Sequence, residues 1–130
     1  MKLKKLLAAT EALKRLTEKR FSNYKTVRDL VNLRKAVDAE VDIYLEQERK
    51  AIQTYAVLDE RGNPVLLSDG IVRLKTEQAK LDFDKELTEL RESEVDGIET
   101  VVLHEGDFRT TDDIPTPDDI LVLEPIVKFE

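Results

Sequence analysis

The amino-acid sequence predicts a mainly α-helical protein with a long central helix, two shorter helices antiparallel to it, a small β-hairpin and a docked C-terminal segment. Residues 23–58 indicate the central helix, because they contain no Gly or Pro and place apolar side chains at a seven-residue period. Charged residues make up 38% of the chain, which is typical of exposed amphipathic helices. A length of 130 residues suits one domain. We expect a helical bundle over residues 1–97, with the hairpin inserted near 65–74, and a docking segment over 98–130.

The first helix is predicted over residues 2–19. Its narrow apolar stripe consists of Leu6, Ala9, Leu13 and Leu16. The sequence Phe21-Ser22-Asn23 then interrupts the helical pattern, and Ser22 or Asn23 can cap the next helix by accepting a hydrogen bond from a free backbone N–H. Because the link is short, the first two helices should run antiparallel.

The long helix carries two core columns. One contains Val27, Arg34, Val41, Glu48 and Tyr55, and the other contains Leu30, Val37, Tyr44, Ala51 and Leu58. A helix of this size is roughly 50 Å long, whereas a compact domain of this chain length is only about 36 Å across. We therefore expect the helix to protrude or to meet a partner.

The segment after Leu58 contains turn signals and then a third helix. Gly62-Asn63-Pro64 ends the long helix, and the Asp69-Gly70 step between two apolar runs predicts a tight hairpin. Thr76 is a candidate N-cap for a helix that extends to about Val95. The sequence leaves open whether the first and third helices lie end to end along the long helix or overlap into a three-helix bundle.

The last third of the chain is predicted to be extended, with one short helix. Thr116-Pro117-Asp118-Asp119 is a helix start, because a hydroxyl cap precedes Pro and two acids in the first turn. The residues that follow are too apolar for a free tail. We expect them to dock on the bundle or on another subunit.

The net charge of −7 is unevenly distributed along the sequence. Residues 1–36 carry eleven Lys and Arg against three acids, a net +8, and residues 37–130 carry a net −15. This uneven charge can drive head-to-tail self-assembly. It can also place the basic helical hairpin at the N-terminus, within residues 1–36, on nucleic acid, or place the acidic half on a basic partner. Alternatively, the bases and acids pair across neighbouring helices.

The sequence offers little catalytic chemistry. It has no Cys, and its one histidine, His104, lies beside Glu105 and Asp107 but would need further zinc ligands that the sequence does not specify. Glu86 and Glu89 have the ExxE spacing of helical Mg²⁺-dependent nucleotide hydrolases, but the long helix has no matching pair. We therefore expect no enzyme activity, no metal and no cofactor. The chain has no apolar run near 18 residues, so we also expect no membrane association and a cytoplasmic location.

Several stretches resemble a family of uncharacterised short proteins encoded by phages and prophages. They are ATEALKRLTEKR, EQERKAIQTYA, DERGNPV, DFDKELTELRESEVDG and PDDILVLEPIV. The resemblance implies a phage origin and a helical-hairpin plan, and it supplies no catalytic residues.

These observations together predict a non-catalytic phage-type binding protein, a virion-assembly or structural accessory that contacts a protein partner or a second copy of itself. It would act in the host cytoplasm or associated with the virion. The predicted contact residues are Tyr44, Tyr55, Leu58, Leu121, Leu123, Ile126 and Phe129. The alternative is an inhibitor of a host nucleic-acid-binding or defence protein that imitates DNA through Asp82, Glu86 and Glu89. A metal-dependent nucleotide hydrolase is a third hypothesis.

Overall fold

The computed structural model describes residues 1–130 and is mainly helical, which confirms the predicted fold class. Its helices are α1 (Leu3–Thr17), α2 (Tyr24–Tyr55), α3 (Glu77–Arg91) and α4 (Pro117–Leu123). Its strands are β1 (Val101–Leu103) and β2 (Val127–Phe129), and two single 3₁₀ turns lie at Glu105–Asp107 and Thr111–Asp113.

The chain forms two compact units. The first, which we call the terminal unit, contains residues 1–41 and 94–130; the second, the central unit, contains residues 42–93. The units divide the chain within α2, whereas the sequence analysis divides it at residue 97. As a result, α1 shares a unit with α4 and both strands, and α3 shares a unit with the second part of α2.

The core of the terminal unit combines the apolar face of α1 with the C-terminal segment. The whole predicted stripe of α1 is buried. From the C-terminal part, the buried apolar side chains are Val95, Leu103, Phe108, Leu123, Ile126 and Val127. The predicted docking of the C-terminal segment is therefore seen within this unit, where α4 packs against α1.

The regular β-structure is a two-stranded parallel sheet that the sequence analysis does not predict. Val101 pairs with Val127 and Leu103 with Phe129. The Val101 N–H donates to the Ile126 carbonyl at 3.1 Å, and the Glu130 N–H donates to the Leu103 carbonyl at 2.8 Å. This pairing joins the last residues of the chain to the segment that follows α3.

Helix α2 is continuous over 32 residues. Asn23 caps it, since its side-chain oxygen accepts hydrogen bonds from the Thr26 N–H at 2.9 Å and the Thr26 hydroxyl at 2.8 Å. The predicted column at Leu30, Val37, Tyr44 and Ala51 is buried at every one of these positions, with exposed fractions of 1%, 0%, 4% and 2%. The fifth residue of this column, Leu58, lies beyond the end of the helix and is half-buried. The second predicted column is not a core column, since Val27 is 38% exposed and its other members are half-buried.

In the central unit, α3 packs antiparallel to the second part of α2. The Arg91 Nε donates to the Tyr44 hydroxyl at 2.9 Å, and the rings of Tyr55 and Phe83 lie edge to face with centroids 6.3 Å apart. Phe83, early in α3, contacts Tyr55 at the end of α2, and Arg91, at the end of α3, contacts the earlier residue Tyr44. The two helices therefore run in opposite directions. This orientation agrees with the prediction for the third helix.

Residues 56–75 connect α2 to α3 through a ring of three backbone hydrogen bonds, which we call the backbone ring. The Val57 N–H donates to the Arg73 carbonyl, the Arg73 N–H to the Val65 carbonyl and the Val65 N–H to the Val57 carbonyl, each at 2.8 Å. Three short extended pieces thus meet in a closed cycle. The predicted hairpin at 65–74 is present as one antiparallel bridge, Leu66 with Val72, within this cycle, and not as two regular strands.

Two equivalent turns lie between the pieces of the backbone ring. In the first, the Asp59 N–H donates to the Asn63 carbonyl at 2.8 Å; in the second, eight residues later, the Leu67 N–H donates to the Ile71 carbonyl at 2.8 Å. Gly62 and Gly70 take the left-handed conformation in their turns, with φ of +79° and +81°. Most other residues would be strained at these two positions.

Candidate functional site

Three of the predicted contact residues belong to the hydrophobic cores. Leu123 and Ile126 are fully buried in the terminal unit, and Tyr44 is 4% exposed in the central unit. Their burial gives no support to the prediction that they contact a partner, because α4 packs on α1 and thereby covers Leu123, while Tyr44 is covered in the contact with α3. Burial also raises the pKa of the Tyr44 phenol, and a hydrogen bond with Glu48 acts in the same direction.

Of the other four predicted residues, only Leu121 is exposed. Its side chain is 67% accessible, whereas Tyr55, Leu58 and Phe129 are half-buried. Tyr44, Tyr55 and Leu58 lie in the central unit, and the four C-terminal residues lie in the terminal unit. The seven residues therefore do not form one surface within either unit.

The three acids of the alternative site lie along one side of α3. Asp82 is half-buried and accepts a hydrogen bond from the Gln78 side chain at 3.0 Å, while Glu86 and Glu89 are exposed. Partial burial raises the pKa of the neighbouring Tyr55 phenol, and the charges of Glu86 and Asp82 add to that effect. Asp82 and Glu86 thus lie close to the contact between α2 and α3.

The basic and acidic ends of the sequence meet in the terminal unit. Residues 1–41 carry eleven Lys and Arg and five acids, a net +6, and residues 94–130 carry two bases and eleven acids, a net −9. Arg15 binds Asp119 through two hydrogen bonds of 2.7 and 3.0 Å, and the N-terminal amine lies 3.1 Å from a carboxylate oxygen of Glu94. These contacts agree with the reading in which bases and acids pair across neighbouring elements, and they lessen the polarity that the sequence suggests.

The Arg15–Asp119 pair leads to a prediction about pH. The hydrogen bonds from Arg15 hold the pKa of Asp119 below its ordinary value of 3.8. Because the pKa is depressed in the folded state, the pair stabilises the fold above about pH 4, and this contribution is lost as the pH falls through the folded-state pKa. Asp119→Asn should therefore be less stable than the native chain at pH 7 in urea unfolding, and the difference should shrink at pH 3.

Asp118→Asn is the matched control for this experiment, since Asp118 is the exposed neighbour in the same helical turn. It should show a smaller difference from the native chain at pH 7. If Asp118→Asn and Asp119→Asn lose equal stability at pH 7, the pair does not hold α4 on α1.

An apolar groove that the sequence analysis missed lies beside the backbone ring. Leu67, Ile71 and Leu74 line it, with Leu67 and Ile71 exposed by 48% and 62%. Arg73 and Lys80, both exposed, also line the groove, and Glu77 is its one acidic residue. Lys75 lies there too and donates to the Thr54 carbonyl at 3.2 Å. The result is an accessible apolar surface with a basic rim, which we call the basic-rimmed groove.

Hydrogen bonds hold the groove residues in place. The Ile71 N–H donates to Oδ1 of Asp69 at 3.0 Å, and its carbonyl accepts from the Leu67 N–H. The neighbouring Arg73 is a member of the backbone ring, and the Thr76 hydroxyl caps α3 by accepting from the Ala79 N–H at 2.9 Å. Leu67 and Ile71 are therefore presented to solvent by a turn whose backbone groups are paired.

A second exposed apolar surface lies on α4. Leu121 and Val122 are 67% and 40% exposed, and they line a shallow depression together with Glu124, Pro125 and three residues from the start of the chain, Met1, Lys5 and Ala8. Asp118 lies three and four residues before them, and side chains at that spacing share one face of a helix. The outward face of α4, which we define as Asp118, Leu121, Val122 and the adjacent Glu124, thus carries two apolar side chains and two acids, and the base Lys5 of α1 lines the depression beside it.

The structure contains no group of three or more His, Cys, Asp or Glu residues placed to hold a metal ion. His104 lies at the N-cap of the first 3₁₀ turn, where its backbone N–H donates to Oδ2 of Asp107 at 2.8 Å. None of the helices has both the length and the apolar composition of a membrane span.

Comparisons with protein-family models, with curated proteins and with solved structures give no match. The resemblance to the phage and prophage proteins therefore stays a prediction.

Proposed function

We propose that this chain is a non-catalytic, phage-type binding protein, a virion-assembly or structural accessory, and that it binds its protein partner through the basic-rimmed groove. The exposure of Leu67 and Ile71 on a hydrogen-bonded turn is the observation that carries the proposal. Apolar side chains that cluster on a surface and have a polar rim are typical of protein-binding sites.

The composition of the central unit supports this function. Its buried apolar residues are Tyr44, Ala51, Ala56 and Leu87. Its large apolar residues that remain exposed are Ile43, Leu45, Leu66, Leu67, Ile71 and Leu81. More large apolar side chains face solvent than are buried, so a partner that covers some of them would stabilise this unit.

The acidic-inhibitor alternative receives less support. The net charge of the central unit is −4, from eight bases and twelve acids, and the acids after residue 93 share a unit with the basic N-terminal helix. A DNA-like surface needs a continuous array of unpaired acids, and α3 alone offers only a short one. The nucleotide-hydrolase hypothesis has no observation in its favour.

Site-specific photo-crosslinking in the cells that produce the protein tests the proposed function. A photoreactive phenylalanine analogue at Leu67 or Ile71 should give a discrete adduct with a partner protein, because both side chains are exposed in the groove. The same analogue at Lys50, an exposed position on α2, is the control and should give none.

The identity of the adduct decides between the hypotheses. A virion or assembly protein, or a second copy of this chain, supports the proposed function. A host nucleic-acid-binding protein favours the inhibitor alternative. Equal, diffuse labelling from all three positions means that the groove is not a binding surface.

A further inference from the structure

We infer that the partner of the basic-rimmed groove is the outward face of α4 on a second copy of this chain, so that copies associate head to tail. This inference rests on the proposed function and specifies its partner. It starts from the chemistry of two surfaces that lie in different compact units, the groove in the central unit and α4 in the terminal unit.

The two surfaces have complementary charge and matching apolar character. The groove offers Leu67 and Ile71 beside the cations Arg73 and Lys80. The face of α4 offers Leu121 and Val122 between the carboxylates of Asp118 and Glu124. Docking would bury the apolar side chains against each other and place acids near bases, which favours this pairing over random contacts.

Symmetric pairings of the same surfaces are disfavoured by charge. Two grooves facing each other would bring Arg73 and Lys80 of one copy close to the same cations of the other. Two α4 faces would likewise oppose Asp118 and Glu124 to identical acids. The unlike pairing is heterologous, and a heterologous contact repeats from copy to copy into a ring or a filament.

The rest of α4 is engaged within its own unit, which leaves its outward face as the available one. On α4, Asp119 binds Arg15 and Leu123 is buried. The surface left over is therefore the apolar-acidic face, and its occupant should carry apolar and basic groups, as the groove does.

A mixing experiment on the full-length chain tests this inference. In sedimentation velocity, the native chain should form species larger than a dimer as its concentration rises. Ile71→Glu, in the groove, and Leu121→Asp, on α4, should each remain monomeric, because each variant places a carboxylate in the apolar contact, and the two altered surfaces also repel each other. A one-to-one mixture of the two should give a heterodimer and nothing larger, since only one competent pair of surfaces remains.

A charge exchange keeps the test independent of the apolar substitutions. Lys80→Glu alone should lose the large species, and mixing it with Asp118→Lys should restore them, because both kinds of contact in the alternating assembly then pair opposite charges. Val102→Glu, a 45% exposed position on β1, is the control and should assemble as the native chain does. Circular dichroism should show native helix content for every variant.

A native chain that stays monomeric at all concentrations would overturn the inference, as would a monomeric mixture or assembly that survives Ile71→Glu. The proposed function has a separate readout: a photo-crosslink from Leu67 to a different protein would support the groove as a binding surface and reject a second copy as its partner.

Discussion

Leu123→Ala should lower the free energy of unfolding by about 2–5 kcal/mol, whereas Leu121→Ala should change it by no more than about 0.5 kcal/mol. The two leucines lie two residues apart on α4, but Leu123 is fully buried and Leu121 is 67% exposed. Removing the Leu123 side chain leaves a cavity where α4 packs on α1, and removing the Leu121 side chain leaves none. Urea unfolding followed by circular dichroism measures both values.

This comparison also separates a core role from a contact role, whereas the sequence analysis predicts contact with a partner for both residues. Because Leu123 is a core residue, its truncation should destabilise the isolated chain at any protein concentration. Leu121 should affect association and leave monomer stability nearly unchanged. If the two variants lose equal stability at low protein concentration, α4 does not dock as the structure shows.

The local elements of this fold were predictable because their signals lie in neighbouring residues. The α4 start, predicted at Thr116 and Pro117, is found with the Thr116 hydroxyl accepting from the Asp119 N–H at 3.3 Å. The cap at Asn23 follows the same logic. The N-cap of the third helix was predicted correctly at Thr76, but the helix ends at Arg91 and not near Val95.

Long-range pairing was not predictable in the same way. Strands β1 and β2 have three residues each and pair in parallel across more than twenty residues of sequence. Such short strands give no usable alternation pattern, and their pairing depends on contacts between segments distant in sequence. The sequence also does not reveal which side chains face the core in the apolar run from Ile120 to Leu123. This helix is only seven residues long, so its buried face depends on the element that packs against it.

The candidate groove was missed for a related reason. Its apolar residues lie in a segment interpreted as a simple hairpin, whereas three extended pieces close into the backbone ring. The eight-residue spacing of Gly62 and Gly70, and of the hydrogen-bonded residues Val57, Val65 and Arg73, was the available signal. The uneven charge along the sequence also suggested a polarity that the fold lessens, because the basic and acidic ends of the sequence share one compact unit.

Asp42→Pro should destabilise the chain by about 3 kcal/mol or more, whereas Asp42→Ala should be neutral or slightly stabilising. Asp42 is exposed and lies in the interior of α2, next to Val41, where the two compact units divide the chain. Proline removes the N–H that bonds to the carbonyl four residues earlier, and its ring collides with that carbonyl. Because the Asp42 side chain is solvent-exposed, the loss would come from the backbone alone.

The buried column of α2 explains why this break matters. Val37 and Tyr44 lie on either side of Asp42, one heptad apart, and both are buried in their respective units. The helical turns around residue 42 hold the backbone of both residues, so unwinding those turns would disturb the packing of each one in its own unit. We expect Asp42→Pro to lower the urea midpoint and the helical circular-dichroism signal relative to Asp42→Ala. Equal midpoints and equal helix content for the two variants would show that α2 is not continuous through residue 42 in solution.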